Sequence, residues 1–565
     1  MSVKSFYKVF FLTLFATRGF AQNPLLIPET LSGVTLHLTL QNGTYSFFDD
    51  LSTPTMGVNG NILGPTLILD QGQEVSIQVT NQLEETTTIH WHGLHVAPEN
   101  DGGPHTPIPP NTTWNPVFTV LDKAGTYWYH PHLHEKTNEH VSKGIAGMII
   151  VREPEEAALA LPRNYGVDDI PMVLQTKDFD EEGQIVVHSN QDDIVMVNAT
   201  IDPVINLPAQ VVRLRLLNGA SQRAFHIGLS NNQPFFQIAS DGGLLAAPVS
   251  MTRLLLAPGE RAEILLDLGG MNGQSTYLMS YASELPNGIY GASSPGMAPV
   301  MTLDGYNPNP LNGTNFELLQ IDVQEAQEEG VFEIPSALVS VSAWNEADAT
   351  VTRNLLFTPA SPGPNQLNGS FRINNQSFDL QVVNYTIPLG NTEIWEIRNQ
   401  SGIAHPFHIH DVQFYILDRN GVQPPAHERG RKDVVLIRPM ETVRFITKFE
   451  NFSNEDIPYM YHCHLLTHED DGMMGQFLVV DNTTSTAELR ENVVRVYPNP
   501  VTDILTVQGI SPSHVEIYDA LGRLVDQKEM STVLEEIDLS SLAAGVFYFH
   551  VFHDGQAQIF KVIKY

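Results

Sequence analysis

Histidine carries the chemical signal in this chain. There are 21 His and one Cys, Cys463, in 565 residues. Ten of the His fall in four clusters: His90-Trp91-His92, His130-Pro131-His132, His405-Pro406-Phe407-His408-Ile409-His410, and His462-Cys463-His464 followed by His468. Neutral imidazole is a common metal ligand. On a β-strand, residues i and i+2 share a face, so each His-x-His pair projects two imidazoles the same way. That arrangement suits a shared metal cluster. In His462-Cys463-His464 the two His face one side and Cys463 the other. One tripeptide can then serve two metal centres and join them through a few covalent bonds. A lone Cys forms no internal disulfide, which leaves a core thiol, a reactive thiol or a metal ligand.

His468 lies five residues after Cys463 and Met473 ten. With His405 they make a His₂Cys set plus a thioether, the donor set of a blue-copper electron-transfer site. Zinc is the metal alternative, but four clusters around one thiolate do not follow a zinc-finger spacing, and zinc passes no electrons. His37, His188, His226, His427, His514, His550 and His553 stand alone and read as ordinary surface or core residues. His95, His105, His134 and His140 lie near the first two clusters and read as structural or rim residues.

The four clusters resemble the four copper-binding motifs of the multicopper oxidases, in the laccase and bacterial copper-efflux oxidase group. Residues 34–480 resemble that family's row of three cupredoxin domains. Arg215-Leu-Leu-Asn-Gly219 and Ser240-Asp-Gly-Gly243 resemble its copper-free second domain. The resemblance implies four copper ions. The type 1 copper would sit on His405, Cys463, His468 and Met473, and the type 2 copper on His90 and His408. One type 3 copper would take His92, His130 and His464, the other His132, His410 and His462. Cys463, His462 and His464 would carry electrons between the centres, and Asp101 and Glu469 stand where the family places proton-relay acids. The partners implied are dioxygen and a small-molecule or metal-ion electron donor. No ligand position is missing, which sets the chain apart from the copper-free scaffold proteins of the same fold.

The copper-efflux branch carries a Met-rich segment for Cu(I), a soft ion that favours thioethers. Here no Met occurs between Met301 and Met440, and Ser401 stands where that branch has an acid. Oxidation of phenols or aromatic amines is therefore the leading expectation. A metal oxidase for Cu(I), Mn(II) or Fe(II), or a non-catalytic copper-binding surface protein, are the alternatives.

The elements that must position these side chains read as β-strands. Glu74–Thr80 alternates so that Val75, Ile77 and Val79 share a face, and similar runs recur at 34–40, 144–151, 211–217, 262–266, 392–397 and 476–480. Gly, Pro and Asn clusters separate them. The expected fold is all-β: three cupredoxin-like Greek-key β-sandwich domains at 22–152, 163–306 and 331–481, and a small C-terminal β-sandwich at 494–565. Glu153–Pro162 reads as a linker, and Asn307–Gly330 as a polar connection.

Lys4 and Lys8 precede the apolar run 9–16, with Gly19 and Ala21 at −3 and −1 of a cleavage site. Residues 1–21 thus read as a secretory signal peptide, too short to span a bilayer. No later stretch reaches the length of a membrane helix. The net charge of −34 argues against nucleic acid and anionic membrane surfaces as partners. The tail, with Val496-Tyr-Pro-Asn-Pro500, Asp503-Ile-Leu-Thr-Val507 and Leu542-Ala-Ala-Gly-Val-Phe-Tyr548, resembles the type A sorting domain of type IX secretion. That resemblance implies the type IX machinery as a partner, passage through periplasm and outer membrane, and a secreted or cell-surface protein.

Overall fold

The structure is a computed structural model describing residues 23–481 and 495–565, apart from 509–512, 521, 531–533 and 554–555. The signal segment 1–21 and the link 482–491 lie outside the described residues. The chain forms two compact units, 1–481 and 482–565. Among the described residues no helix is long and apolar enough to cross a membrane.

The first unit is built from paired sheets. One five-stranded sheet runs Thr30–Ser32, Thr66–Asp70, Gly147–Arg152, Gly125–His130, His90–His92. A second sheet carries Thr53–Val58, Thr35–Tyr45, Glu74–Asn81, Thr113–Trp114 and Val117–Thr119. Alternation decides what lies between them: Leu36, Leu38 and Leu40 meet Val75, Ile77 and Val79 from one sheet and Leu67, Tyr129 and Ile149 from the other. Because Trp91 points into this core, His90 and His92 must point away from it.

Residues 351–480 repeat the plan. Tyr385–Pro388, Met474–Val480, Tyr459–Cys463, His405–Ile409 and Val434–Ile437 form one five-stranded sheet. It shares a core with the sheet of Phe371–Ile373, Val351–Pro359, Thr392–Asn399, Thr442–Lys448 and Phe414–Arg419. In both sandwiches the histidine strands are neighbours. His90 pairs with His130 and His408 with His462.

Between them lies a larger sandwich of a six-stranded and an eight-stranded sheet around Leu214, Ile227, Ile264 and Ile321. Asn315–Gln324 falls within the stretch that reads as a polar connection, yet it is a central strand here, flanked by Pro203–Pro208 and Ser275–Tyr281. Its polar residues face outward while Leu318, Leu319, Ile321 and Val323 are buried. The linker stretch after Glu153 is likewise tied down, because Glu156 is buried against Arg213 at 2.8 Å.

The C-terminal unit packs a three-stranded sheet, Arg495–Tyr497, Ile504–Gln508, Leu534–Asp538, and a four-stranded sheet, Leu524–Met530, Ser513–Asp519, Gly545–His553, Gln556–Lys564. Leu505, Ile517, Phe549 and Val562 share its core.

Candidate metal centres

Strand alternation puts Cys463 and its neighbours on opposite faces. Cys463 points into the core of the sandwich formed by residues 351–480, where Sγ lies 3.5 Å from His405 Nδ1 and 3.7 Å from His468 Nδ1. The short helix Leu466–Asp470 turns His468 back toward the thiol. Met473 is fully buried in the same core, and its carbonyl accepts the Cys463 N–H at 3.0 Å. Ser401 Oγ lies 2.8 Å from His405 Nε2, and its own proton can reach Asn399 Oδ1 or Ile403 O. It therefore accepts from Nε2, leaving His405 Nδ1 bare toward the sulfur.

On the opposite face His462 and His464 join six imidazoles from the other three clusters. Three groups of ring nitrogens converge within 4.8 Å: His92, His130 and His464; His132, His410 and His462; His90, His408 and His410. His90 stacks on His410 at 3.8 Å and His92 on His408 at 3.7 Å. Every one of these rings is buried.

The hydrogen bonds show what these nitrogens lack. His92 donates Nε2–H to Asp433 Oδ1 at 3.0 Å, and His130 donates Nδ1–H to the Pro131 carbonyl at 2.7 Å. Their remaining nitrogens, both bare, face each other at 3.2 Å. His462 donates Nδ1–H to the Cys463 carbonyl at 3.1 Å, and its Nε2 lies 3.1 Å from His132 Nε2. At the sulfur, His405 Nδ1 and His468 Nδ1 sit 3.3 Å apart. Among the described residues, Nε2 of His90, His408 and His410 and both ring nitrogens of His464 have no partner. The two bare nitrogens of His92 and His130 repel at 3.2 Å unless a cation lies between them, and buried polar atoms are rarely left unpaired. Protonation does not supply that cation. Burial, reinforced in the cluster by neighbouring imidazoles, holds His92, His130, His405, His408 and His410 below their usual range and His132, His464 and His468 near 3. Burial also pushes the Cys463 thiol up, so a thiolate there needs a metal beside it. The donor set fits metal ions, and the soft thiolate with two imidazoles and a thioether fits copper.

The two candidate relay acids touch the cluster. Asp101 ends the short helix Pro98–Asp101; its carbonyl accepts from His90 Nδ1 at 2.9 Å and its Oδ2 from His410 Nδ1 at 2.8 Å. Glu469 lies 3.1 Å from His462 Nδ1 and 3.4 Å from His132 Nδ1. Burial raises its pKa, but the two facing imidazoles outweigh that and hold the carboxyl below its usual range.

Other His near the clusters have ordinary partners: His95 pairs with Asp411 at 2.8 Å, His105 with Gln476 at 2.7 Å, and His140 with Thr87 at 3.0 Å, while the His134 ring packs on Phe378. Sequence reasoning missed three features. Asp433 contacts two cluster imidazoles. His188 shares a pocket with His468. Met297 and Met301 lie just before the Met-free interval, yet both reach Gly402 beside Ser401: Met297 N–H donates to the Gly402 carbonyl at 2.8 Å, and a Cβ on Gly402 would strike Met301 Sδ.

Comparison with known proteins agrees with this chemistry. Multicopper oxidase family models match residues 39–156 and 348–483, and the secretion system C-terminal sorting domain model matches 495–565. The sorting domain marks the chain for export. The chain is 33% identical over 466 residues to the multicopper oxidase mco of Staphylococcus haemolyticus, covering 79% of this chain and 88% of that one. It is 30% identical over 473 residues to the cell division protein FtsP of Escherichia coli, covering 81% and 93%. Among solved structures, a laccase-like multi-copper oxidase from Ochrobactrum sp. shares 33% identity at a TM-score of 0.70, covering 81% of this chain and all of that one. The chain belongs to the multicopper oxidase family, and it is an oxidoreductase that uses copper.

Proposed function

We propose that this protein couples one-electron oxidation of phenols or aromatic amines to the four-electron reduction of dioxygen to water. Four donors each give one electron, and one O₂ with four protons leaves as two waters. In this reading four coppers bind: His405, Cys463, His468 and Met473 hold the type 1 ion, and His90 and His408 the type 2 ion. His92, His130 and His464 hold one type 3 ion, and His132, His410 and His462 the other. Its three cupredoxin domains would be 22–152, 163–324 and 331–481, the middle one taking in the strand Asn315–Gln324. Bound copper supplies one-electron redox chemistry at the thiolate site and a place for O₂ at the histidine cluster.

One observation carries the reading of the donor. Eleven of the twelve proposed ligands are buried, and only His468 reaches intermediate exposure. It borders a cavity of about 270 Å³ shared with His188, Tyr290, Asp304, Leu367 and Asp471. That volume suits a single aromatic ring, and the two carboxylates accept a phenol O–H or an amine N–H. The tripeptide 462–464 joins the thiol to both His of the cluster through the backbone. Asp101 Oδ2 accepts an imidazole N–H at the cluster, and Glu469 lies within 3.4 Å of two more ring nitrogens, where protons are consumed.

A second reading, oxidation of Cu(I), is favoured by the Met301 sulfur lying against Gly402, where the Met297 backbone is also bonded, since thioethers suit cuprous ion. Oxygen uptake by the copper-loaded protein, with a phenol and with Cu(I) as alternative donors, separates the two. Faster uptake with the phenol supports the first reading; faster uptake with Cu(I) replaces it with the second. With the sorting tail, we propose that the enzyme works outside the outer membrane, released or held at the cell surface.

A further inference from the structure

We propose that Arg261, from the middle sandwich that contributes no cluster histidine, is a positioning residue for the histidine cluster, acting through Asp433 on His92 and His408. The inference rests on the copper reading above.

Asp433 immediately precedes the strand Val434–Ile437, which pairs with His405–Ile409. Its Oδ1 accepts from His92 Nε2 at 3.0 Å, and its main-chain carbonyl accepts from His408 Nδ1 at 2.9 Å. One residue thus fixes two stacked imidazoles in opposite tautomers. His92 presents Nδ1 to the cluster, and His408 presents Nε2, which has no partner among the described residues. A carboxylate on the far nitrogen of a metal-bound His sets ring orientation and raises its basicity.

Both carboxylate oxygens of Asp433 are held in turn. Arg261 Nη1 reaches Oδ1 at 2.6 Å and Nη2 reaches Oδ2 at 2.5 Å, a bidentate pairing. Asp433 is therefore an orienting acceptor, its lone pairs already committed to Arg261 and His92. The guanidinium is anchored on several sides. Nε donates to the Thr126 carbonyl at 3.1 Å, Nη1 to the Gly259 carbonyl at 3.1 Å and Nη2 to the Asp241 carbonyl at 3.0 Å. Thr126 belongs to the sandwich of residues 30–152, and Gly259 and Asp241 to the middle one, so a single side chain ties these to Asp433. Arg261 and Asp433 are both 1% exposed. The approach leaves no room beside it: Gly93 has φ +90°, and a Cβ there would lie 2.6 Å from both Arg261 Nη2 and Asp433 Oδ2. Only the planar five-donor fork of arginine makes this set of contacts.

The test compares the copper-loaded full chain with Arg261→Lys, Arg261→Ala and Asp433→Asn, reading copper per chain, the type 2 electron paramagnetic resonance signal, and the blue absorption of the type 1 site. The inference predicts unchanged blue absorption in Arg261→Lys and Asp433→Asn, a changed type 2 signal, and copper in the cluster held roughly 10–100-fold less tightly. Arg261→Lys should fall between wild type and Arg261→Ala. Wild-type type 2 spectra and copper retention in Arg261→Lys and Asp433→Asn would overturn it. So would parallel loss of blue absorption and type 2 signal in both, which would mark a general structural role. A wild-type chain that shows blue absorption and no type 2 signal would instead overturn the ligand assignment on which the inference rests.

Discussion

In the middle sandwich Arg213 meets Glu156 at 2.8 Å and Glu263 at 2.9 Å, while Arg215 meets Asp169 at 2.6 Å and Glu263 at 2.7 Å. These groups are all buried, and each charge faces its opposite. The histidine cluster is buried as deeply, but every ring keeps at least one nitrogen that faces another imidazole nitrogen or has no partner among the described residues. Depth alone therefore does not distinguish scaffold from site. What distinguishes them is closure: where the protein completes its own hydrogen bonds the polar group is structural, and where it leaves lone pairs converging it is built for something it must bind. Arg261 and Asp433 stand at the border, closed on one side and holding open rings on the other.

The largest effect should come at the one residue that belongs to both faces of its strand. Cys463→Ser should abolish blue colour and oxidase turnover while circular dichroism reports an intact fold; retained turnover would remove the thiolate from the electron path. A paired test sharpens the contrast directly. Arg215→Met leaves Asp169 and Glu263 short of a partner and should cost about 3–5 kcal/mol in urea unfolding, with copper content unchanged per folded chain. His464→Ala in the metal-free protein removes two unpaired buried nitrogens and should stay within about 1 kcal/mol of the parent, while copper in the cluster is lost. Equal destabilisation by the two would erase the distinction drawn here. Met473→Leu should keep activity and raise the potential of the blue site in a redox titration, since the axial donor tunes it; an unchanged potential would mean Met473 is not axial.

The smallest effect lies at a charge the middle sandwich closes only with a carbonyl. Lys177 donates to the Ser142 carbonyl at 2.6 Å, and burial pulls its pKa from 10.5 down to about 8. Between those values the unfolded chain binds the proton and the folded chain does not, so stability rises with pH from about 8 to about 10.5. Lys177→Met should therefore stabilise the protein at pH 7 by about 1–2 kcal/mol, the gain shrinking toward pH 10. Thermal unfolding of both proteins at pH 7 and pH 10 measures it.

What could be read from the chain was what is local. Period-two spacing places His90 with His92 and separates Cys463 from His462 and His464, so the clusters are visible before any fold is known. The strand Asn315–Gln324 was hidden because Asn315, Glu317, Gln320, Asp322 and Gln324 give it a linker's polarity, although its alternate residues fill a core. Asp433 and Arg261 were invisible for a different reason: neither sits in a motif, and their roles exist only where separate sandwiches meet. Met297 and Met301 were overlooked because a count over an interval of sequence does not register which segments fold over Gly402.

The converging nitrogens of the cluster should hold copper. Elemental analysis of the purified, copper-loaded protein tests that most directly. Four coppers per chain, with blue absorption and a type 2 signal together, is the predicted result. A chain that holds one copper or none after loading would contradict it, and would place this protein among scaffolds that keep the fold without the chemistry.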